Sequence, residues 1–334
     1  MKTRDLLRAT PAALLLAACE RLPSTQSVMH PAGPDAALIT GLLWLLCAGG
    51  LVIFLGVMIL LALSLRRGRP VDARWWIAGG GIALPVTVLS ALLLFSTVRS
   101  AQLSPQTSQD ALHLSVTARM WWWEVRYRDP ASGRDIVLAN ELHIPVDRRV
   151  YVALTSADVI HSFWVPSLGG KMDTIPGRIN GLTWRASQPG VYRGQCAEFC
   201  GEQHAKMALH VVAENQQDFD AWLARQAALA TPADNALLER GRAAFLAQRC
   251  NACHAIRGVT SPADDAGDAT LGPDLTHVGS RRYLAAGVLP NHSGAMAGWI
   301  AGVQAVKPGA RMPSFDRMDG ATLSALAAYL EHLK

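Results

Sequence analysis

The chain has 334 residues, a formal net charge of +5 and 50% hydrophobic residues. Its length predicts two or three domains. The mean hydropathy of +0.18 is high for a wholly soluble protein, so we expect membrane-spanning helices. The charge is modest and forms no groove-like basic patch, so nothing indicates a nucleic-acid partner. The six cysteines lack the even scatter that is typical of a disulfide framework.

The N-terminus is typical of a signal peptide. Lys2, Arg4 and Arg8 precede a short apolar run that ends in L-L-L-A-A-C. A cysteine directly after Leu-Ala-Ala resembles a bacterial lipoprotein cleavage box. We therefore expect residues 1–18 to be a lipoprotein-type signal peptide and Cys19 to be lipidated, with an ordinary signal peptide as the alternative. Residues 19–36 are rich in Pro, Ser and Gly and are predicted to be a linker.

Residues 37–100 are predicted to form a transmembrane helical hairpin. The uncharged run at 38–65 and the run at 75–98 are each long enough to span a bilayer. The short connection between them is rich in arginine, which favours the cytoplasmic side. The sequence therefore predicts two spans in a bacterial inner (plasma) membrane, in contact with lipid, and later domains on the periplasmic side. The arginines are Arg66, Arg67, Arg69 and Arg74.

Residues 108–215 contain short alternating runs separated by turn signals such as D-P-A-S-G and Q-P-G. This spacing predicts the strands of a β-sandwich. The six predicted strands are residues 112–118, 123–127, 141–145, 150–155, 182–186 and 209–213.

Within this region, Cys196, Cys200, His204 and Met207 lie inside twelve residues. Thiolate, imidazole and thioether ligands together select copper or a similar soft metal. The second cysteine would allow two thiolates to bridge two metals. His161 is the best candidate for a second histidine. From these residues alone, a zinc site and a Cys196–Cys200 disulfide both remain open.

The run C-A-E-F-C-G-E-Q-H-A-K-M at 196–207 resembles the dinuclear CuA site of cytochrome c oxidase subunit II. So does D-V-I-H-S-F-W-V-P-S-L-G-G-K-M-D-T-I-P-G-R-I-N at 158–180, and the similarity covers residues 35 to 215. The resemblance implies a cupredoxin fold. It also implies that Glu198 offers its backbone carbonyl to copper and its carboxylate to a magnesium ion shared with the catalytic subunit. The implied copper ligands are His161, Cys196, Glu198, Cys200, His204 and Met207.

The aromatic run Met120-Trp-Trp-Trp123 is similar to a Trp-aromatic-Trp pattern of the same family. The resemblance implies that Trp121 receives electrons above the metals, although plain packing is the alternative. The family often carries a glutamate for proton uptake near the cytoplasmic end of its second helix. Here the nearest acid is Asp72, so proton uptake through this chain is in doubt.

Residues 216–232 are predicted to be a linker with some helical character, and residues 233–334 an all-α class I cytochrome c domain. Cys250-Asn-Ala-Cys253-His254 is the attachment signature of a covalent c-type haem, with His254 as an axial iron ligand. Met312, in R-M-P, resembles the second axial ligand of class I cytochromes c. The weaker candidates are Met296, Met318, His277 and His292.

Two redox centres without a catalytic acid–base pair predict an electron relay rather than chemistry in this chain. The resemblance implies subunit II of a caa-type cytochrome c oxidase. Electrons would pass from a cytochrome c or a membrane-bound donor through haem c and CuA to catalytic subunit I, which reduces oxygen and pumps protons. Subunit III is a further expected partner. The alternative is the CuA/haem c subunit that feeds a nitric oxide reductase.

Overall fold

The computed structural model describes residues 24–66, 72–103, 110–260 and 271–334. The predicted signal peptide, the lipidation site Cys19 and the start of the predicted linker lie outside these residues. Arg67 and Arg69 of the arginine-rich connection also lie outside them.

Two long apolar helices open the described chain. Helix α1 is Pro34–Arg66 and helix α2 is Ala73–Ala101, and neither has its apolar window buried by the rest of the protein. Both exceed the roughly 20 residues that cross a bilayer. The backbone of α2 is π-helical at Trp76–Ala83, just before Pro85. Proline lacks an N–H and disturbs the regular hydrogen-bond pattern of a helix.

The segment before α1 differs from the linker that we predicted. The backbone of Ala32 bonds to Ser167 O and to Ser187 N at 2.7 Å each. Gly33 lies so close to Arg185 that an added Cβ would be 2.1 Å from the Arg185 carbonyl oxygen. This segment therefore attaches α1 to the domain that follows. Its composition suggested a free linker because the packing partners lie more than 130 residues away in the chain.

Ten strands form two five-stranded sheets with the orders β3-β2-β1-β5-β8 and β4-β10-β9-β6-β7. The neighbouring pairs are antiparallel except β1 with β5 and β4 with β10. The inward residues of both sheets form one buried core. The strands are β1 Leu112–Arg119, β2 Trp122–Arg128, β3 Asp135–Ala139, β4 Glu141–Pro145, β5 Val150–Ser156, β6 His161–Trp164, β7 Met172–Thr174, β8 Asn180–Trp184, β9 Gly190–Cys196 and β10 Ala208–Glu214.

Strands β3, β6, β7 and β9 were not predicted, and β8 starts and ends two residues earlier than predicted. Strands β6 and β7 are only four and three residues long. Strand β9 carries glycines and polar residues, which are weak strand formers. Pairing with neighbouring strands, rather than local propensity, makes these segments extended.

The first part of the predicted linker at 216–232 is a regular helix, α3 Gln216–Ala227. Asn215 caps it by accepting a hydrogen bond from Asp218 N at 2.9 Å. The helix buries Phe219, Trp222 and Leu223 against the sandwich core. It therefore belongs to the sandwich, and only the following residues connect the two folded units.

The C-terminal domain is mainly helical around a separate core. Close helix packing explains Gly241, where an added Cβ would lie 2.1 Å from Ala325 O.

The predicted fold class is confirmed, since a two-helix hairpin, a β-sandwich and a helical domain follow one another. The C-terminal elements are α4 Ala236–Ala247, β11 Tyr283–Leu284, β12 Leu289–Pro290, α5 Ser293–Ala301, α6 Val303–Val306 and α7 Gly320–His332.

Candidate functional site

The first candidate site lies where β6 begins and β9 ends. These strands are antiparallel neighbours, with Phe163 opposite Cys196. Ala197 N donates to Ser162 O at 2.9 Å, which extends the pairing by one bond. As a result, His161 Nδ1 lies 3.9 Å from Cys196 Sγ although 35 residues separate them.

The ligand loop, residues 196–207, supplies the other donors. Cys196 Sγ lies 3.7 Å from Cys200 Sγ, and Cys200 Sγ lies 3.6 Å from His204 Nδ1. The carbonyl oxygen of Glu198 is 3.2 Å from Cys196 Sγ. Cys196 N donates to Met207 O at 2.9 Å, and the Met207 side chain is buried. The structure thus brings all the sequence-predicted copper ligands to one end of the sandwich.

A carboxylate orients His161. The Nε2–H of His161 donates to Asp158 Oδ1 at 2.8 Å, which leaves Nδ1 toward the cysteines. Burial alone would lower the pKa of His161, but its bonds to Asp158 and Cys196 raise that pKa overall. The other oxygen of Asp158 accepts from Met120 N at 2.7 Å. Sequence reasoning missed Asp158, although its position three residues before His161 was a usable signal.

The two cysteines are free thiols in close contact rather than a disulfide. The hydrogen bond between the two sulfurs lowers the pKa of Cys196 to about 3 and raises the pKa of Cys200. One sulfur is therefore readily deprotonated, and thiolate is the form that binds metals. Two sulfurs, two imidazoles, a thioether and a carbonyl exceed the four ligands of a structural zinc site. The donor set fits two soft metal ions.

The second candidate site is a cavity of about 450 Å³ in the C-terminal domain. Cys250, Cys253 and His254 line it. His254 Nδ1–H donates to Pro273 O at 2.7 Å, which leaves Nε2 free as an iron ligand. Burial lowers the pKa of His254, which favours the neutral imidazole that a metal requires. Two thiols beside an oriented imidazole fit a covalent haem.

Gly272 is required by the close approach of this histidine. A Cβ at Gly272 would lie 2.5 Å from His254 Cε1. Two of the predicted candidates for the second axial ligand, Met312 and Met296, line the same cavity. The other three do not line it, and both histidines bond to backbone atoms instead. These three are Met318, His277 and His292.

Family models match both folded units. The model described as cytochrome c oxidase subunit II, periplasmic domain, matches residues 128–214. The model described as cytochrome c matches residues 238–334.

The chain is 35% identical over 232 residues to cytochrome c oxidase subunit 2 of Alkalihalophilus pseudofirmus, which covers 69% of this chain and 64% of that relative. It is 32% identical over 266 residues to cytochrome c oxidase subunit 2 of Bacillus subtilis, covering 75% of this chain and 72% of that relative. The chain belongs to the cytochrome c oxidase subunit 2 family.

Among solved structures, the periplasmic domain of subunit II of cytochrome oxidase of Bradyrhizobium japonicum is 31% identical, with a TM-score of 0.34. The match covers 36% of this chain and 97% of that chain. The two family models and the two relatives confirm the predicted recognition: this is a subunit II chain with a cytochrome c domain. Membership implies that it binds copper and haem c and is part of a haem–copper oxidase complex in a membrane, with its folded domains periplasmic.

In this subunit II chain, Trp121 lies between the two sites. It lines the cavity of the C-terminal domain together with Met120 and Trp122. Its Nε1–H donates to the carbonyl oxygen of Cys200 at 2.8 Å. Gly201, at φ +110°, lies against the indole, and a Cβ there would be 3.2 Å from Trp121 Cζ2.

Several contacts hold the C-terminal domain of the subunit against the sandwich. His210 stacks on Tyr283 with ring centroids 4.1 Å apart. Glu141 Oε2 accepts from Arg282 N at 2.9 Å. The junction segment, residues 306–309, makes three bonds to the sandwich from consecutive residues. These are Lys206 Nζ to Val306 O at 2.6 Å, Lys307 Nζ to Trp121 O at 2.9 Å and Gln203 Nε2 to Pro308 O at 2.6 Å. Of these residues, sequence reasoning assigned a role only to Trp121; Gln203 and Lys206 lie within the 196–207 run, but nothing in the sequence indicated their contacts.

The carboxylate of Glu198 turns away from the ligand cluster toward the surface of the subunit. Its Oε2 lies 3.6 Å from Lys171 Nζ, and both side chains are about half exposed. The carbonyl of Glu198 and its carboxylate therefore face different surroundings.

Proposed function

We propose that this chain receives electrons for a caa-type cytochrome c oxidase. Cys250, Cys253 and His254 would hold a haem that accepts electrons from a cytochrome c or a membrane-bound donor. Trp121 would then carry the electrons to the ligand loop and His161, which would hold a dinuclear copper centre. From there the electrons would reach the catalytic haem–copper subunit, where oxygen is reduced and protons are pumped. This chain itself carries electrons only.

The position of Trp121 is the observation that supports this route. A haem in the cavity would have Trp121 as part of its wall, and Trp121 bonds directly to the backbone of Cys200. One side chain thus contacts both sites. The C-terminal domain also covers this side of the sandwich, so an external donor would meet the haem domain before Trp121.

The proposed copper ligands are His161, Cys196, Cys200, His204, Met207 and the carbonyl of Glu198. The rigid strands β6 and β9 fix the first two, and a preorganised ligand set limits rearrangement when an electron arrives. His254 and Met312 are the proposed axial ligands of the haem iron. A methionine ligand raises the haem potential.

The partner side of the proposal rests on the surface around Glu198 and on the two helices. Phe199, between the two cysteines, is 78% exposed, as expected for a residue that meets another subunit. The Glu198 carboxylate is exposed enough to share a magnesium ion with subunit I. Both helices have exposed apolar surfaces. The lipid of a bacterial inner membrane and contacts with subunits I and III would cover these surfaces.

Apart from the two linker segments corrected above, the domain boundaries predicted from the sequence remain part of this proposal, including the signal peptide and lipidation of Cys19. The nitric oxide reductase alternative gains no observation in its favour. Purification of the complex separates the two: oxygen uptake supports the proposal, and nitric oxide turnover without oxygen uptake contradicts it. Copper and haem contents of the same sample provide the check on cofactors.

Replacement of Trp121 by phenylalanine tests the route itself. The Trp121→Phe variant keeps an aromatic ring but loses the bond to Cys200 O, which is worth about 1 kcal/mol. We expect electron transfer from haem c to copper, followed after flash reduction of the haem, to slow at least several-fold. Phe199→Leu is the matched control, because Phe199 lies on the ligand loop but lines no part of the haem cavity. An unchanged rate in Trp121→Phe would remove Trp121 from the route.

A further inference from the structure

Lys307 is a buried cation at the junction of the two redox sites. Its side chain is only 4% exposed, whereas lysine is rarely buried unless it is paired. Its Nζ donates to Trp121 O at 2.9 Å. Across the part of the chain that the structure describes, no carboxylate lies within ion-pair distance of this Nζ. The ammonium therefore has a carbonyl partner but no counter-ion.

Stability does not explain a lysine at this position. Burial lowers the pKa of Lys307 to about 7, and nearby Lys206 lowers it further while Cys200 raises it. Removing an ammonium from water without a counter-ion is costly, and an apolar side chain of similar size often packs there at lower cost. Because Lys307 is unfavourable for folding, we expect its charge to have a functional role.

The surroundings of Lys307 indicate that role. Its neighbours Val306 and Pro308 bond to the ligand loop, so the junction segment fixes the lysine beside that loop. Lys307 interacts electrostatically with Cys200, a proposed copper ligand. It also forms part of the cavity wall of the C-terminal domain. Its charge therefore acts on both redox sites, and its ammonium bonds to the carbonyl of Trp121, the residue whose indole donates to the carbonyl of Cys200.

We propose that Lys307 is a positioning residue of the relay, whose buried positive charge raises the electron affinity of the copper centre and so favours transfer from haem to copper. This inference rests on the proposed function. In the step concerned, one electron leaves the haem iron and reduces the copper centre, and no bond is made or broken. Lys307 acts through the Trp121 carbonyl and the Cys200 sulfur by stabilising the extra negative charge.

The sign of the pH dependence follows from the charge. Below about pH 7 Lys307 is protonated and favours the reduced copper centre, and above it the charge and its effect are lost. The copper potential of the wild type should therefore fall as the pH rises from 6 to 8. The other charged or titratable groups of the ligand loop that face the junction segment are Lys206, Glu202 and Cys200.

The test is a redox titration of copper and haem c in the intact, purified complex at pH 6, 7 and 8. In Lys307→Met we expect a lower copper potential at pH 6, a weaker pH dependence and a several-fold shift of the electron from copper toward haem. The shift at copper should exceed that at haem. Lys307→Arg should keep the high potential and lose the pH dependence, since arginine stays charged. Lys334→Met removes an exposed lysine of the same domain and should match the wild type.

A structural role for Lys307 predicts a different pattern. It predicts a lower unfolding temperature in Lys307→Met with an unchanged copper potential, and that result would overturn the inference. A haem shift as large as the copper shift would overturn it too. If Lys307→Met does not assemble, the pH profile of Lys307→Arg still decides. Failure of the proposed function would instead be visible in the wild type, as an absence of electron transfer from haem c to copper.

Discussion

The two redox sites of this chain are built in opposite ways. At the copper end, the donors already touch one another, with sulfur and imidazole atoms 3.6 to 3.9 Å apart. In the C-terminal domain, the corresponding feature is a cavity of about 450 Å³ edged by two thiols and an imidazole. The sandwich supplies a set of ligands in mutual contact, whereas the helical domain supplies an apolar wall that a haem would complete.

This difference has a physical cause. Two of the proposed copper ligands, His161 and Cys196, are held by strand pairing such as the bond from Ala197 N to Ser162 O, which involves no ligand atom. In the helical domain, the cavity is lined by residues of α5, by Leu330 of α7 and by the loops that carry His254 and Met312, and a large apolar group would fill it. We therefore expect the sandwich to tolerate metal loss and the helical domain to depend on its haem for folding.

The largest expected effect comes from removing haem attachment. Without haem, the largely apolar wall of this cavity is exposed to water, a cost that weighs heavily against the roughly 5–15 kcal/mol total stability of a domain. The double variant Cys250→Ser/Cys253→Ser should lose the native fold of residues 233–334. Limited proteolysis should cleave that region while the sandwich stays resistant. A protease-resistant C-terminal domain without haem would show that this domain, like the sandwich, folds without its cofactor.

Loss of a copper ligand should have a smaller structural effect. Cys196→Ser replaces a buried sulfur with a near-isosteric oxygen that is a poor ligand for copper. We expect the copper absorption to disappear while the haem c spectrum remains, with a fall in unfolding free energy of about 1 kcal/mol. Cys47→Ser, in the first helix, is the control and should keep both spectra. Unfolding of the sandwich in Cys196→Ser would show that copper, too, is needed for its fold.

The smallest expected effect concerns which methionine of the helical domain binds the haem iron. Met312 and Met296 both line the cavity. Met296, on α5, is buried in the core of the helical domain, whereas Met312 is only partly buried. Met312→Leu should change the haem absorption and lower the haem potential, because a thioether ligand raises it. Met296→Leu conserves volume and should leave both unchanged. The reverse outcome in redox titrations would assign Met296 as the iron ligand.

The sequence predicted those features whose interacting residues lie close together in the chain. Cys196, Cys200, His204 and Met207 form a recognisable set because their spacing alone brings them close. Cys250, Cys253 and His254 are local in the same way. By contrast, the segment at 24–36 and helix α3 were predicted as linkers, because their packing partners lie far away in the chain.

The sequence by itself determined the ligand chemistry, the two apolar spans and the order of the domains, since these depend on residue type and short-range spacing. Only the tertiary structure decided which distant residues meet. Strand pairing brings His161 to Cys196, and domain contact puts Trp121 in the wall of the haem cavity. The same contact buries Lys307, which has no counter-ion among the residues that the structure describes. Such contacts form between residues as much as 186 positions apart, and no local pattern encodes them.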